Sequence, residues 1–258
     1  MQFTTDVLGV IPARMASTRL PGKPLLPIAG VAMIERVYEG TVACRTLRRV
    51  VVATDSAEIV SFCEARAISV RLTSHAHPSG TDRVWEVAEA LGATAVVNVQ
   101  GDEPMVRPEM LERMLEALFA RPETEVASLY TPITAAEAEW ASACKVVMDE
   151  EMRALYFSRA AIPFPRRGQP QYCKHLGYYA YSRAALQAFH AWPPAPLEQA
   201  EGLEQLRFLH HGVAIAMAET PFNTVGIDTR EDLEAAEKLL SRSNGAESED
   251  GVQSAEGK

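Results

Sequence analysis

Four cysteines, Cys44, Cys63, Cys144 and Cys173, are too few and too scattered for a disulfide framework, and no CxxC pair offers a structural zinc site. Their placement suits a reducing compartment. Long hydrophobic runs are missing too, since no apolar stretch reaches the roughly 20 residues that cross a bilayer. The polar start Met1–Asp6 lacks the basic and apolar regions of a signal peptide. A soluble cytoplasmic protein with no membrane partner is therefore expected. Basic charge is in deficit, with 25 Lys and Arg against 34 Asp and Glu and a formal net charge of -9. Wrapping a nucleic-acid backbone asks for a basic surface, so no nucleic-acid partner is expected. A local cation cluster can still hold a small anion on an acidic protein. Neither a GxGxxG fingerprint nor a phosphate-binding P-loop occurs, and this disfavours a dehydrogenase.

What remains is an ordinary globular balance, 47% hydrophobic and 23% charged. Short apolar runs at Val7–Ile11, Val50–Ala53, Val70–Leu72 and Ala95–Val99 alternate with helical patterns. Those patterns cover Met33–Cys44, the spacing Ile59, Phe62, Cys63 and Arg66, and Asp82–Leu91. Repeated strand–helix–strand units predict an α/β fold with a mostly parallel sheet and helices on both faces. In the second half, Val126–Ile133, Lys145–Met148, Ala154–Phe157 and Val213–Ala218 read as strands, with little room for full helices between the first three. Pro163–Lys174 reads as an exposed loop, and Pro196–His211 as one amphipathic helix. Thr229 and Asp232 open a last helix, Arg230–Leu240. The chain divides into one domain, 1–240, and a polar acidic tail, 241–258, expected to be disordered.

Chemistry concentrates after the first strand. Pro12 and Ala13 lead into Arg14, Ser17, Arg19 and Lys23, three cations within ten positions, interleaved with hydroxyls and Gly22. Forked guanidinium donors, an ammonium and close backbone approach are what a triphosphate needs. Asp102 closes the apolar strand ending in Gln100-Gly101, where an open α/β sheet delivers residues to its ligand crevice. Asp228 is a second strand-end acid. Two carboxylates drawn together would make a hard oxygen site suited to Mg2+. The small residues and hydroxyls of the segment Ser79–Arg83, Ser79 and Gly80 first, allow backbone approach to a base or ribose, and a helix N-cap explains Thr81 almost as well. His75 and His77 lack partner ligands at zinc spacing. Arg159, His175 and Tyr179 fall near strand ends and suit an anionic, hydroxylated ligand. Glu204 and Gln205 read from spacing alone as a solvated helix face.

In this order the segments IPARMASTRLPGKPL, VVATD, SGTDR, VNVQGDEP, KVV, ALYFSRAAIP, KHLGYYAY, PLEQAEGLEQLR and GIDTREDL resemble the 3-deoxy-manno-octulosonate cytidylyltransferase family, over roughly Val7–Leu240. The resemblance implies a nucleotide-diphospho-sugar transferase-like fold with a mixed sheet. It also implies a homodimer, CTP with Mg2+, and transfer of CMP to an acidic sugar, 3-deoxy-manno-octulosonate (KDO), for lipopolysaccharide biosynthesis. Arg14, Ser17, Arg19 and Lys23 then fall in the nucleotide-phosphate loop, with Arg19, Lys23 and Asp102 catalytic. Asp102 and Asp228 match the metal carboxylates. Gln100 lies at the crevice between both substrates. Arg159, His175, Tyr179, Glu204 and Gln205 match sugar contacts, so resemblance rather than periodicity singles out the last two. Two departures touch the acceptor side and the phosphate loop: a short Ile162–Lys174 loop carrying Arg166-Arg167, and Met15 where an aromatic residue is commoner. An 8-amino KDO analogue or a sialic acid as acceptor, and a non-catalytic nucleotide sensor, are the competing readings.

Overall fold

A computed structural model describes residues 6–16 and 19–238 of the chain. Ser17 and the tail 241–258 lie outside the described residues. Strand β1 (Val7–Ala13) is buried at every position, because both faces of the sheet are covered there. A small hairpin, β2 (Pro27–Ile28) and β3 (Val31–Ala32), leads into helix α1 (Met33–Val42). Then come β4 (Arg49–Thr54), α2 (Ala57–Glu64), β5 (Val70–Leu72), α3 (Gly80–Leu91), β6 (Ala95–Val99) and α4 (Pro108–Phe119). The second half adds β7 (Val126–Ile133), α5 (Ala135–Ala138), β8 (Lys145–Met148), β9 (Ala154–Ser158), β10 (Tyr172–Ser182) and α6 (Arg183–Ala191). It ends with α7 (Pro196–Glu201), α8 (Leu206–His210), β11 (Ile215–Glu219) and a helical segment at 230–238.

The main sheet runs β11-β7-β10-β6-β1-β4-β5, with β8 and β9 attached beside β10. Neighbours along that row are parallel except where β10 inserts antiparallel between β6 and β7. One face buries Ile34 and Val37 of α1, Ile59 and Cys63 of α2, and Met110, Leu111 and Met114 of α4. The other buries Val84 and Trp85 of α3, Leu186 and Phe189 of α6, and Phe208 of α8. Each fully buried aliphatic side chain of this kind contributes ~1.5–3 kcal/mol. Helices thus cover both faces of a mixed, mostly parallel sheet, as the strand–helix alternation predicts.

Two expectations for the second half need correction. Pro196–His211 is not one helix: Gly202, at φ 64, ends α7 in the left-handed conformation, and a turn precedes α8. The matching spacing of Leu203 and Leu206 reflects burial of both in the core beneath that turn, not a continuous helix. Pro163–Lys174 is not loop throughout, since β10 begins at Tyr172 and carries His175 and Tyr179 inside an eleven-residue strand rather than near its end. Helix α6 follows it, capped by the Ser182 side chain. The cap of α3 also differs, for Ser79 rather than Thr81 accepts from the Asp82 N–H.

Candidate active site

The C-terminal edges of β1 and β6 meet at a close backbone approach. A Cβ added at Gly101 would stand 2.7 Å from the Pro12 carbonyl oxygen, so only glycine lets the turn after β6 ride over β1. That turn projects Asp102. Gly22, at φ 70, opens a short 3-10 turn, Lys23–Leu25, which swings Lys23 back over the same edge. Lys23 Nζ donates to Asp102 Oδ2 at 2.6 Å and to Asp228 Oδ1 at 3.1 Å, while Arg19 Nη2 lies 2.9 Å from Asp228 Oδ2. Burial alone would lower the Lys23 pKa; the two carboxylates outweigh it and hold the ammonium above the ordinary lysine value. The Ile227 N–H donates to the Asp102 carbonyl at 2.9 Å, tying the two acidic segments together through the backbone. Arg14 stands exposed just beyond β1.

Beneath this charged mouth, Glu103 is buried and accepts from Tyr178 Oη at 3.1 Å. Burial, with Asp102 alongside, pushes its pKa up to about 7. Next to it the start of α3 closes in: a Cβ at Gly80 would lie 3.7 Å from the Pro12 ring and 3.9 Å from Gln100 Oε1. Ser79 is spoken for, since its hydroxyl caps α3 and donates to Asp82 Oδ2 at 2.7 Å. Pro12, Ala13, Gly80 and Gln100 thus line one continuous wall.

The sugar-side candidates sit deeper. His175 is buried, with Nε2 2.9 Å from Ser128 Oγ and its ring against Phe157 and Tyr179. Burial and then the nearby Lys174 charge push its pKa down to about 3, so the ring is neutral. Glu204 occupies the turn between α7 and α8 and accepts from Thr81 Oγ1 at 2.6 Å; burial raises its pKa. Gln205 is buried with Nε2 3.8 Å from Cys144 Sγ. Arg159 is exposed, and its guanidinium donates to the backbone carbonyls of Glu201 at 2.9 Å, Ala141 at 3.2 Å and Gly202 at 3.5 Å. In this state it pins the very turn that carries Glu204 and Gln205.

The structure therefore unites Arg19, Lys23, Asp102 and Asp228 in one cluster and sets Gln100 between it and the buried polar wall. Sequence reasoning passed over Thr81 as a wall residue, and Asn98, Ser128, Tyr178 and Tyr181 altogether. A signal existed for Asn98, the single polar residue within the otherwise apolar strand Ala95–Val99, where it is fully buried.

A profile of the cytidylyltransferase family matches residues 8–215. The 3-deoxy-manno-octulosonate cytidylyltransferase of Koribacter versatilis is 49% identical over 93% of this chain and 92% of its own length. The chain belongs to the 3-deoxy-manno-octulosonate cytidylyltransferase family. The enzyme of that name from Escherichia coli is 43% identical over 90% of this chain and 95% of its own. A solved CMP:2-keto-3-deoxy-manno-octonic acid synthetase complexed with CTP superposes with TM-score 0.89 at 42% identity, covering 93% of this chain and all of that one. A cytidylyltransferase from Leptospira borgpetersenii, 17% identical with TM-score 0.63, shares the fold. No helix among the described residues is long and apolar enough to cross a membrane.

Proposed function

We propose that this cytidylyltransferase activates KDO with CTP, giving CMP-KDO and pyrophosphate, with magnesium as its metal. The observation that carries the reading is the convergence of Asp102 and Asp228 on one ammonium, Lys23, at the carboxyl edge of β1 and β6. The fit to a divalent cation is chemical: two oxygen donors already share one positive charge. Among the described residues no third carboxylate, histidine or cysteine joins them. Two carboxylates completed by substrate phosphates and water is a usual magnesium arrangement. When held by Asp102 and Asp228, the ion would neutralise phosphate charge and favour ionisation of the attacking hydroxyl.

The remaining work falls to the chain. Lys23, released from its carboxylates, and Arg19 offer positive charge to the pyrophosphate leaving group as the bond to the α-phosphorus breaks. Arg14, at the mouth, is free to meet the triphosphate, and the wall of Pro12, Ala13 and Gly80 shapes the nucleoside side. The anomeric 2-hydroxyl of KDO attacks in line, so positioning matters more than covalent chemistry. The neutral His175 ring, Tyr179, Glu204 and Gln205 supply hydrogen-bonding partners for the sugar hydroxyls. Arg159 is the candidate for its carboxylate, on leaving its present carbonyl partners. Most of the large exposed apolar side chains, Trp140, Leu155, Phe164 and Leu197 among them, lie in the second half, with Val42 and Leu72 in the first, and they support a homodimer built mainly from the second half. The product would supply lipopolysaccharide assembly from the cytoplasm.

The test is pyrophosphate release with CTP and magnesium, offering KDO, its 8-amino analogue and a sialic acid in parallel. Turnover highest with KDO is expected. Release only with another sugar would move the acceptor, and none with any would overturn the reading.

A further inference from the structure

Asn98 is the fully buried polar residue of β6, and its Nδ2, the single buried side-chain nitrogen or oxygen among the described residues without a partner at full hydrogen-bond geometry, has the Tyr181 hydroxyl beside it as the acceptor that orients its amide. Buried donors are ordinarily satisfied, because an unpaired one forfeits its hydration without return. Its other end is engaged: Gln100 Nε2 donates to Asn98 Oδ1 at 3.3 Å. Gln100 follows directly on the end of β6, two residues beyond Asn98, and its side chain turns back to the same side of the sheet to reach it. On that face Asn98 is paired across the ladder with Tyr179 of β10 and with Val10 of β1. The Tyr181 hydroxyl stands beside Asn98 and Thr81, with the Glu204 carboxylate next to it.

Gln100 projects into the crevice, its stem against the Gly177 position and its Oε1 toward Gly80. With Nε2 turned down to Asn98, the carbonyl end of the amide is the end presented to a ligand. An amide is pseudo-symmetric, and without a partner below it either end would face up. A carbonyl oxygen accepts from hydroxyls, and a polyhydroxylated sugar is rich in them. We infer that Asn98 is a positioning residue that fixes the sense of the Gln100 amide, so that the floor of the crevice presents a hydrogen-bond acceptor to the sugar. This rests on the KDO reading above and deepens it: acceptor binding is set partly by a residue that the sugar does not touch.

The test is a double-mutant cycle of Asn98→Ala and Gln100→Ala in the full-length protein, read as KM for KDO, KM for CTP, kcat and melting temperature. Asn98→Ala is expected to raise the KM for KDO about tenfold, the scale of one hydrogen bond, with the KM for CTP nearly unchanged. In the Gln100→Ala background the same change is expected to add little, because its effect passes through Gln100. Additive effects, an unchanged KM for KDO, or equal rises for both substrates would overturn the inference. Should Asn98→Ala fail to fold, Asn98→Ser carries the same cycle. Wild-type turnover in the same assay tests the functional reading separately. Calorimetric titration of KDO into the four proteins reads the coupling without turnover.

Discussion

The mouth and the floor of the crevice are both polar, yet they are built on opposite terms. At the mouth, the Asp102 and Asp228 side chains keep 31% and 46% of their exposure, and Lys23 is shared between them. Ion pairs so open to water add little stability. These groups can exchange partners at small cost, which suits the site proposed for them. On the floor, His175 keeps 6% of its exposure and Gln205 3%, and their partners come from other elements of the core. A buried polar group is tolerable only when satisfied, so altering one there disturbs the packing around it. The lesson is that reactivity and fold stability occupy separate layers of a single cleft.

The sharpest way to break that contrast is at the mouth. Asp102→Asn is expected to lower kcat by a factor on the order of 10²–10³, while the melting temperature stays close to wild type; a large fall in melting temperature would show the mouth to be structural after all. The contrast is sharpened from the other side by Arg207→Ala. Arg207 makes a buried two-pronged pair with Glu198, at 2.8 and 2.5 Å, and anchors α8 directly behind Gln205. Breaking it is expected to cost about 3–5 kcal/mol in urea unfolding, the usual result of orphaning a buried charge. A loss below about 1 kcal/mol, the scale of an exposed pair, would dissolve the distinction.

A third effect, absent at neutral pH, appears on acidification. The buried His175 ring binds a proton only near pH 3, whereas the unfolded chain takes one up near 6.5. Between those values the unfolded state holds the extra proton, so stability falls as pH drops from 6.5 toward 3. His175→Gln is expected to flatten that slope in a series of denaturant melts. An unchanged slope would mean that the ring is reached by water.

The difference between mouth and floor also explains what was legible in the chain. Arg14, Arg19 and Lys23 are neighbours in sequence, and Asp102 ends an apolar strand, so local pattern suffices to find them. Helix α4 is equally readable, with Pro108 at its start and Met110, Leu111, Met114, Leu115 and Leu118 on one side, although the strand-and-motif reading passed it by. The floor is not local. Strand β10 lies in the middle of the sheet yet reads CKHLGYYAYS, without the alternation that marks a strand, because it is covered on both faces and bulges between Leu176 and Tyr179. The break at Gly202 hides within an apolar spacing that fits a continuous helix equally well. Thr81, Asn98 and Glu204 acquire meaning only when α3, β6 and the turn before α8 are brought together.

The hydrogen bond from Ile227 to Asp102 bears on when the acidic pair can form, as well as where. Among the described residues the last strand of the sheet ends at Glu219, so those ladders can be complete before residue 228 has left the ribosome. Asp102 is made early and waits through more than a hundred residues for its companion. A nascent chain can therefore hold the framework while the acidic pair is still single. The pairing of Asp102 with Asp228 is then a late and local event.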